Sequence, residues 1–250
     1  MQQQGWRTSW NVRKSALKGL PGQPFDRYRR KKIPLALSGF HRGMPAVAMQ
    51  IDFKYKGLAG GSGPTVYNTN GVALNGSRSV AKWESFSVAV VEMPAPVPEL
   101  LVDDKRDGLE DFGDLLSLNR SRGVFQGRPT AEVPIIDPAT SRKWSSFHVF
   151  DASPAYAHAV LTEPRAFWLA NSDRGLPEIR GAAGALGFRL SGRKLIVWLQ
   201  RPLDPAVVDT LLWIADEIMR WIPPAAYQDP AALQADQQHV PLAQLQAQFG

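Results

Sequence analysis

The stretch KWESFSVAVVEMPAPVPELLV, Lys82–Val102, starts as an apolar β-strand and then meets Pro94, Pro96 and Pro98. Proline brings no N–H to a ladder and favours extended backbone, so the strand must leave its sheet after Met93 or continue at an edge. Upstream, IPLALSGF and AVAMQIDFKYK flank His41-Arg42-Gly43-Met44-Pro45, and the second run sets Ile51, Phe53 and Tyr55 against Asp52, Lys54 and Lys56. That alternation predicts a hairpin with one solvated face. Between this hairpin and Lys82, GLAGGSGPTVYNTNGVALNGSRS (residues 57–79) has the Gly, Ser and Asn content of a long mobile hairpin loop. It lacks apolar anchors and is the expected first internal site of proteolysis.

Downstream, the spacing of Leu109, Phe112, Leu115 and Leu116 predicts a short helix over Gly108–Leu118, with acids in its first turn. TAEVPIIDPATSRKW is a proline-broken extended segment leading to the strand SSFHVF. Ser153 and Pro154 are an N-cap and first-position pair for a helix with Tyr156, Ala159, Val160, Phe167 and Trp168 as its apolar positions. GFRL (187–190) and LIVWL (195–199) flank Ser191-Gly192-Arg193-Lys194, a hairpin signal. Asp204-Pro205 then opens a helix whose Val207, Val208, Leu211, Leu212, Ala215, Ile218, Met219 and Ile222 follow a 3.6-residue period up to Pro223-Pro224. Beyond Tyr227 the Gln/Ala-rich tail has little to bury and is expected to be mobile or weakly helical. The fold class expected is α+β: two antiparallel sheet-plus-helix halves packed into one compact body, with a long Gly-rich hairpin loop, a C-terminal amphipathic helix and a mobile tail. The segments are 1–32, basic; 33–125 and 126–228, the two halves; and 229–250, the tail.

Composition supports a packed body, since 44% of the 250 residues are apolar and 10% aromatic. There is no cysteine, which excludes disulfides and thiolate chemistry. No window reaches the roughly 18–20 apolar residues of a membrane helix, and the start MQQQGWRTSW lacks a signal-peptide core. The expectation is a soluble, cytoplasmic chain. Its net charge of +6 is uneven: residues 1–32 carry nine lysines and arginines against the single acid Asp26, or +8, leaving −2 for the rest. The basicity is an N-terminal property, which weakens a reading of the whole body as a nucleic-acid surface.

The recognisable chemistries are short of parts. GAAGALG spaces Gly181, Gly184 and Gly187 before a strand, whereas the dinucleotide fingerprint lies between a strand and a helix, so no cofactor is expected. The cluster Asp103, Asp104, Asp107, Glu110, Asp111 and Asp114 approaches a calcium-loop count but puts Lys105 at a ligand position, and no metal is expected. His41, His148, His158 and His239 share no zinc spacing. His148, Asp151 and Ser153 are triad residue types, yet three groups within six residues at a strand end and a helix cap do not easily converge on one substrate. Trp198, Trp213 and Trp221 sit in apolar-periodic elements and are expected in the core; Trp6 and Trp10, near Arg7 and Arg13, are interface candidates.

PGQPF, the strands ending in DFKYK, VVEMPAPVPELLV, FHVFDASPAYAHAVLTEPRAFWLA and FRLSGRKLIVWLQRPLDPAVVDTLLWIADEIMRWIP together resemble an uncharacterised actinobacterial family. In that family a domain of this layout commonly follows one or more N-terminal membrane helices; none stands ahead of it in this sequence. The resemblance implies that the basic run would lie between membrane and domain, where cytoplasmic flanks are rich in Lys and Arg. The expectation is a non-enzymatic binding or scaffold protein, contacting an acidic surface through Arg27, Arg29, Arg30, Lys31 and Lys32 with Trp6 and Arg7. Its partner would be a protein or an anionic membrane surface, making the chain membrane-peripheral. The alternatives are a hydrolase built from residues 57–79 and 103–114, and nucleic-acid binding.

Overall fold

The computed structural model describes residues 5–20, 22, 24–25, 30–58, 66–67, 73–74, 79–104, 131–133, 136–137, 142–143, 147–151, 154–171, 186–236 and 240–249. It is an α+β fold organised on one long strand. The order is β1 (Arg7–Val12), a 3-10 turn (Lys14–Gly19), β2 (Lys31–His41), β3 (Met44–Leu58), β4 (Val66–Tyr67), β5 (Ala73–Leu74) and β6 (Ser79–Asp104). There follow β7 (Ala131–Glu132), β8 (Ile136–Asp137), β9 (Arg142–Lys143), β10 (Phe147–Asp151), α1 (Pro154–Val160), α2 (Glu163–Ala170) and β11 (Gly187–Leu199). The chain ends with α3 (Pro205–Trp221), a 3-10 turn (Pro224–Gln228), α4 (Pro230–Asp236) and α5 (Leu242–Phe249). No helix among the described residues is long and apolar enough to cross a membrane.

The β2–β3 hairpin closes as its sequence predicts, with His41 opposite Met44 and both turn residues left-handed, Arg42 at φ 50° and Gly43 at φ 79°. Two-residue turns of this hand match the twist of the strands they join. β3 then pairs with β6 from Ala46↔Val91 to Leu58↔Ser79. The expected helix at Gly108–Leu118 and most of the 57–79 loop lie outside the described residues.

Of the two courses expected at the prolines, the strand takes the second and continues with one edge open, whereas the hairpin expected at Ser191–Lys194 is corrected. β6 does not leave the sheet at its prolines; it runs unbroken for 26 residues. β3 and β10 lie end to end along one edge of it, with partners ending at Val91 and resuming at Leu100, and β11 takes the opposite edge. Pro94, Pro96 and Pro98 fall in the gap between β3 and β10, where their missing N–H groups break no registered pair. The hairpin expected at Ser191–Lys194 is likewise one continuous strand. Its register shifts between Leu190 and Lys194, opposite the proline segment, with Gly192 at φ 56°. An uninterrupted partner edge extends β11 where local turn propensity alone would have folded it back.

Alternation along these strands gives the sheet two apolar faces. On the first, Ala46, Ala48, Ala89, Val91, Val97, Val197 and Leu199 join the buried residues of α1, α2 and α3. On the second, Met49, Phe53, Phe86, Val88, Ile196 and Trp198 join Ala16, Leu17, Phe25 and α5. α3 matches its predicted stripe, and its N-cap Asp204 accepts from the Val207 N–H at 2.9 Å. Trp213, expected in the core, is 42% exposed, whereas Trp198 and Trp221 are buried. The helix expected to reach Trp168 from Pro154 is two helices divided at Leu161-Thr162, and Ala166 and Leu169 are the buried positions where Phe167 was expected.

The tail takes the helical one of its two expected forms, and it is packed. Rather than a mobile segment, α5 is packed on the second face through Leu242, Leu245 and Phe249, an i, i+3, i+7 stripe among the glutamines and alanines. Glu92 Oε2 accepts from the Leu242 N–H at 2.7 Å, and the Gln246 amide donates to the carbonyls of Gly39 and Ala46 at 2.7 and 3.0 Å.

Candidate functional site

The structure separates the residues of the basic segment. Arg27 and Arg29 lie outside the described residues. Arg30 is exposed, and its carbonyl accepts from the Lys54 N–H at 2.9 Å, which fixes the entry into β2. Lys31 turns inward and donates to the Phe25 carbonyl. Lys32 projects to the opposite face, with its ammonium 4.3 Å from the centre of the Trp83 ring. Trp6 and Arg7 stand elsewhere: Arg7 is registered with Ser38, six positions along β2 and so about 20 Å from Lys32. Trp6 is half-buried against Gly39, where a Cβ would come within 2.8 Å of its ring. Trp10 is 71% exposed.

Register supplies what the linear sequence did not show. Lys32 is opposite Asp52 on β3, and Lys54 is opposite Trp83 on β6. Alternate residues share a face, so Lys32, Asp52, Lys54, Trp83 and Ser85 form one surface, on the side that carries α3 further along the strands. The Lys54 ammonium lies 5.7 Å from the Trp83 ring centre, so two cations flank one indole that is 44% exposed. The face of an indole ring attracts such cations by its quadrupole. Asp52 is held in place by donation from Gln50 and from Ser85 Oγ, each at 2.8 Å. The alternation Asp52, Lys54, Lys56 marked a solvated face in sequence, but nothing in KWES told which strand partner Trp83 would meet.

A second polar cluster is buried. Glu99 lies 3.5 Å from the Arg189 guanidinium and accepts from Ser191 Oγ at 3.0 Å. Gly22, at φ 86°, lets the chain approach so closely that a Cβ would sit 1.8 Å from Arg189 Nη1. Arg193 donates to the Pro94 carbonyl at 2.8 Å and pairs with Asp236 of α4 at 3.2 Å, tying the irregular segment of β11 to the tail. Burial pushes the Lys194 ammonium below its ordinary pKa, against the opposing pull of Glu92 and Asp236. These groups join strands and tail to one another.

Of the triad residue types, Asp151 is buried at the end of β10, while Ser153 and the side chain of His148 lie outside the described residues. Most of the acidic segment 103–114 lies outside them too. Among the described residues no group of three or more His, Asp or Glu is placed to hold a metal ion.

These features define an α+β chain whose sheet carries helices on both faces and a basic, aromatic patch where one face is left open. No family model matches the sequence, and no curated protein matches it. Among solved structures it is similar to the mycobacterial trehalose monomycolate transport factor A, at 9% identity over 88% of this chain and 89% of that one, with a TM-score of 0.49. Similarity at that level carries no inference about activity or partners.

Proposed function

We propose that this protein is a non-enzymatic binding module that docks on an anionic membrane surface through Arg30, Lys32 and Lys54 around Trp83. The observation that carries the reading is the pair of lysine ammoniums over one exposed indole. Tryptophan favours the membrane–water interface, with its ring among headgroups and its N–H wet. Cations beside it meet phosphate at the same depth, each worth about 1 kcal/mol near an anionic leaflet. Asp52 opposes them on the same surface and limits the affinity, making the attachment reversible. Arg27 and Arg29 continue the basic run in sequence and add to the attraction in this reading.

Cosedimentation with phosphatidylcholine vesicles, with and without phosphatidylglycerol, tests this. Binding should require the anionic lipid and weaken as salt rises. Replacing Arg30, Lys32 and Lys54 by alanine removes about 3 kcal/mol of attraction, which lowers binding by about a hundredfold. Trp83→Ala should weaken it with charge unchanged, and duplex DNA should bind less tightly at the same ionic strength. Equal binding to neutral vesicles, or variants that bind like wild type, would refute the proposal; tighter binding to DNA would favour the nucleic-acid alternative.

A further inference from the structure

The sheet ends on one side at β1, Arg7–Val12, which pairs with β2 and has no described strand on its outer edge. Its side chains are all exposed or half-buried. An edge strand presents a row of outward N–H and C=O groups that can template another strand. Two large apolar side chains stand exposed beside this edge, Trp10 at 71% and Phe40, on β2, at 63%. The register puts them on opposite faces: Trp10 is paired with Leu35, which packs toward the first core, whereas Arg7 is paired with Ser38 and shares the face of Phe40. At the Arg7 end the edge opens into a groove of about 680 Å³ bordered by Arg7, Ser38, Phe40, Ala243, Gln246 and Ala247.

From these features we infer that β1 is a strand-addition site for an extended, acidic segment of a partner protein. Main-chain hydrogen bonds to the edge supply the attachment, and alternate side chains of the added strand fall on Trp10 on one face and toward Arg7 and the groove on the other. Charge selects the occupant. Residues 1–25 contain Arg7, Arg13, Lys14 and Lys18 and no acid. A second copy of this edge would bring like charges together, which opposes self-pairing. A membrane would meet the cations and leave the outward backbone groups unmatched. Asn11, at φ 51°, interrupts the regular strand, so the segment that can be extended is Arg7–Trp10. This site stands about 20 Å along β2 from Lys32 and does not depend on the lipid reading.

The test is fluorescence anisotropy of the full chain with a labelled short peptide alternating valine and glutamate, at low salt. Two control peptides accompany it: one N-methylated at every residue, which keeps the charge and loses the strand-pairing donors of both its edges, and one with lysine in place of glutamate. The acidic peptide should bind, the lysine peptide should not, and N-methylation or Trp10→Ala should each weaken binding by about tenfold or more. In amide exchange, the bound peptide should slow the amides of Arg7–Trp10. Trp10 is exposed, so Trp10→Ala should melt like wild type; if it does not fold, the N-methylated peptide decides the matter on the wild-type chain. Equal binding of the N-methylated peptide would reduce the site to charge alone and overturn the inference, as would failure of the acidic peptide to bind.

Discussion

Docking of the tail onto the sheet can be tested at one contact. A Cβ built on Gly19 would lie 2.4 Å from Leu245 Cδ2, 3.0 Å from Cδ1 and 3.2 Å from Cγ. Leu245 is buried, and Gly19 ends the 3-10 turn that shares its cluster. Leu245→Ala removes a buried side chain and leaves a cavity, which costs about 2–4 kcal/mol. Gly19→Ala forces overpacking against the same leucine, at about 1–3 kcal/mol. In the double variant the new methyl group enters space that the leucine has vacated, so the costs should not add; the shortfall should be at least about 1 kcal/mol. Urea denaturation of the four proteins, followed by tryptophan fluorescence, measures each term. In thermal melts Leu245→Ala alone should lower Tm by roughly 4–16 °C for a chain of this size. Leu233, exposed on α4, is the control, and its alanine variant should change stability by less than about 0.5 kcal/mol. Additive costs, or a Leu245→Ala protein as stable as wild type, would mean that α5 is not packed on that turn.

Two other outcomes follow from local geometry. Gly192→Ala should cost about 1–3 kcal/mol in the same assay, because its φ of 56° is strained for alanine and the new Cβ would meet Ala235 O and Asp236 Oδ1 at 3.0 Å; a neutral result would argue against the irregular register of β11. Tyr156 is buried with no hydrogen-bond partner for its hydroxyl among the described residues, and burial, then the Asp151 charge, raises its pKa. The unfolded phenol ionises near pH 10 while the folded one stays neutral, so its contribution is full below that pH and is lost as pH rises above it. Tyr156→Phe should therefore be no less stable than wild type at pH 7, by chemical denaturation, and should lose less stability above pH 10. An equal alkaline loss in both proteins would show that Tyr156 is not the group responsible.

The sequence by itself determined the elements whose signals are local. The β2–β3 hairpin follows from its alternation and from Arg42-Gly43, α3 from its apolar period, its Asp204 cap and its Pro205 start, and the N-terminal charge from counting. Tertiary structure decided the rest because each remaining choice depended on a distant partner. Pro94, Pro96 and Pro98 fit inside β6 only because β3 stops and β10 begins on either side of them; Ser191–Lys194 stays in a strand because β6 offers one continuous edge. Three apolar side chains suffice for α5 because the second sheet face has room beside Leu17 and Phe25. The candidate surface divides the same way. Arg30 and Lys32 were legible as a charge run, but which cations would share an aromatic ring was set by register: β3 brought Lys54 and β6 brought Trp83 to the face of Lys32, while Lys31, one position away, was turned to the other side by the two-residue period of the strand.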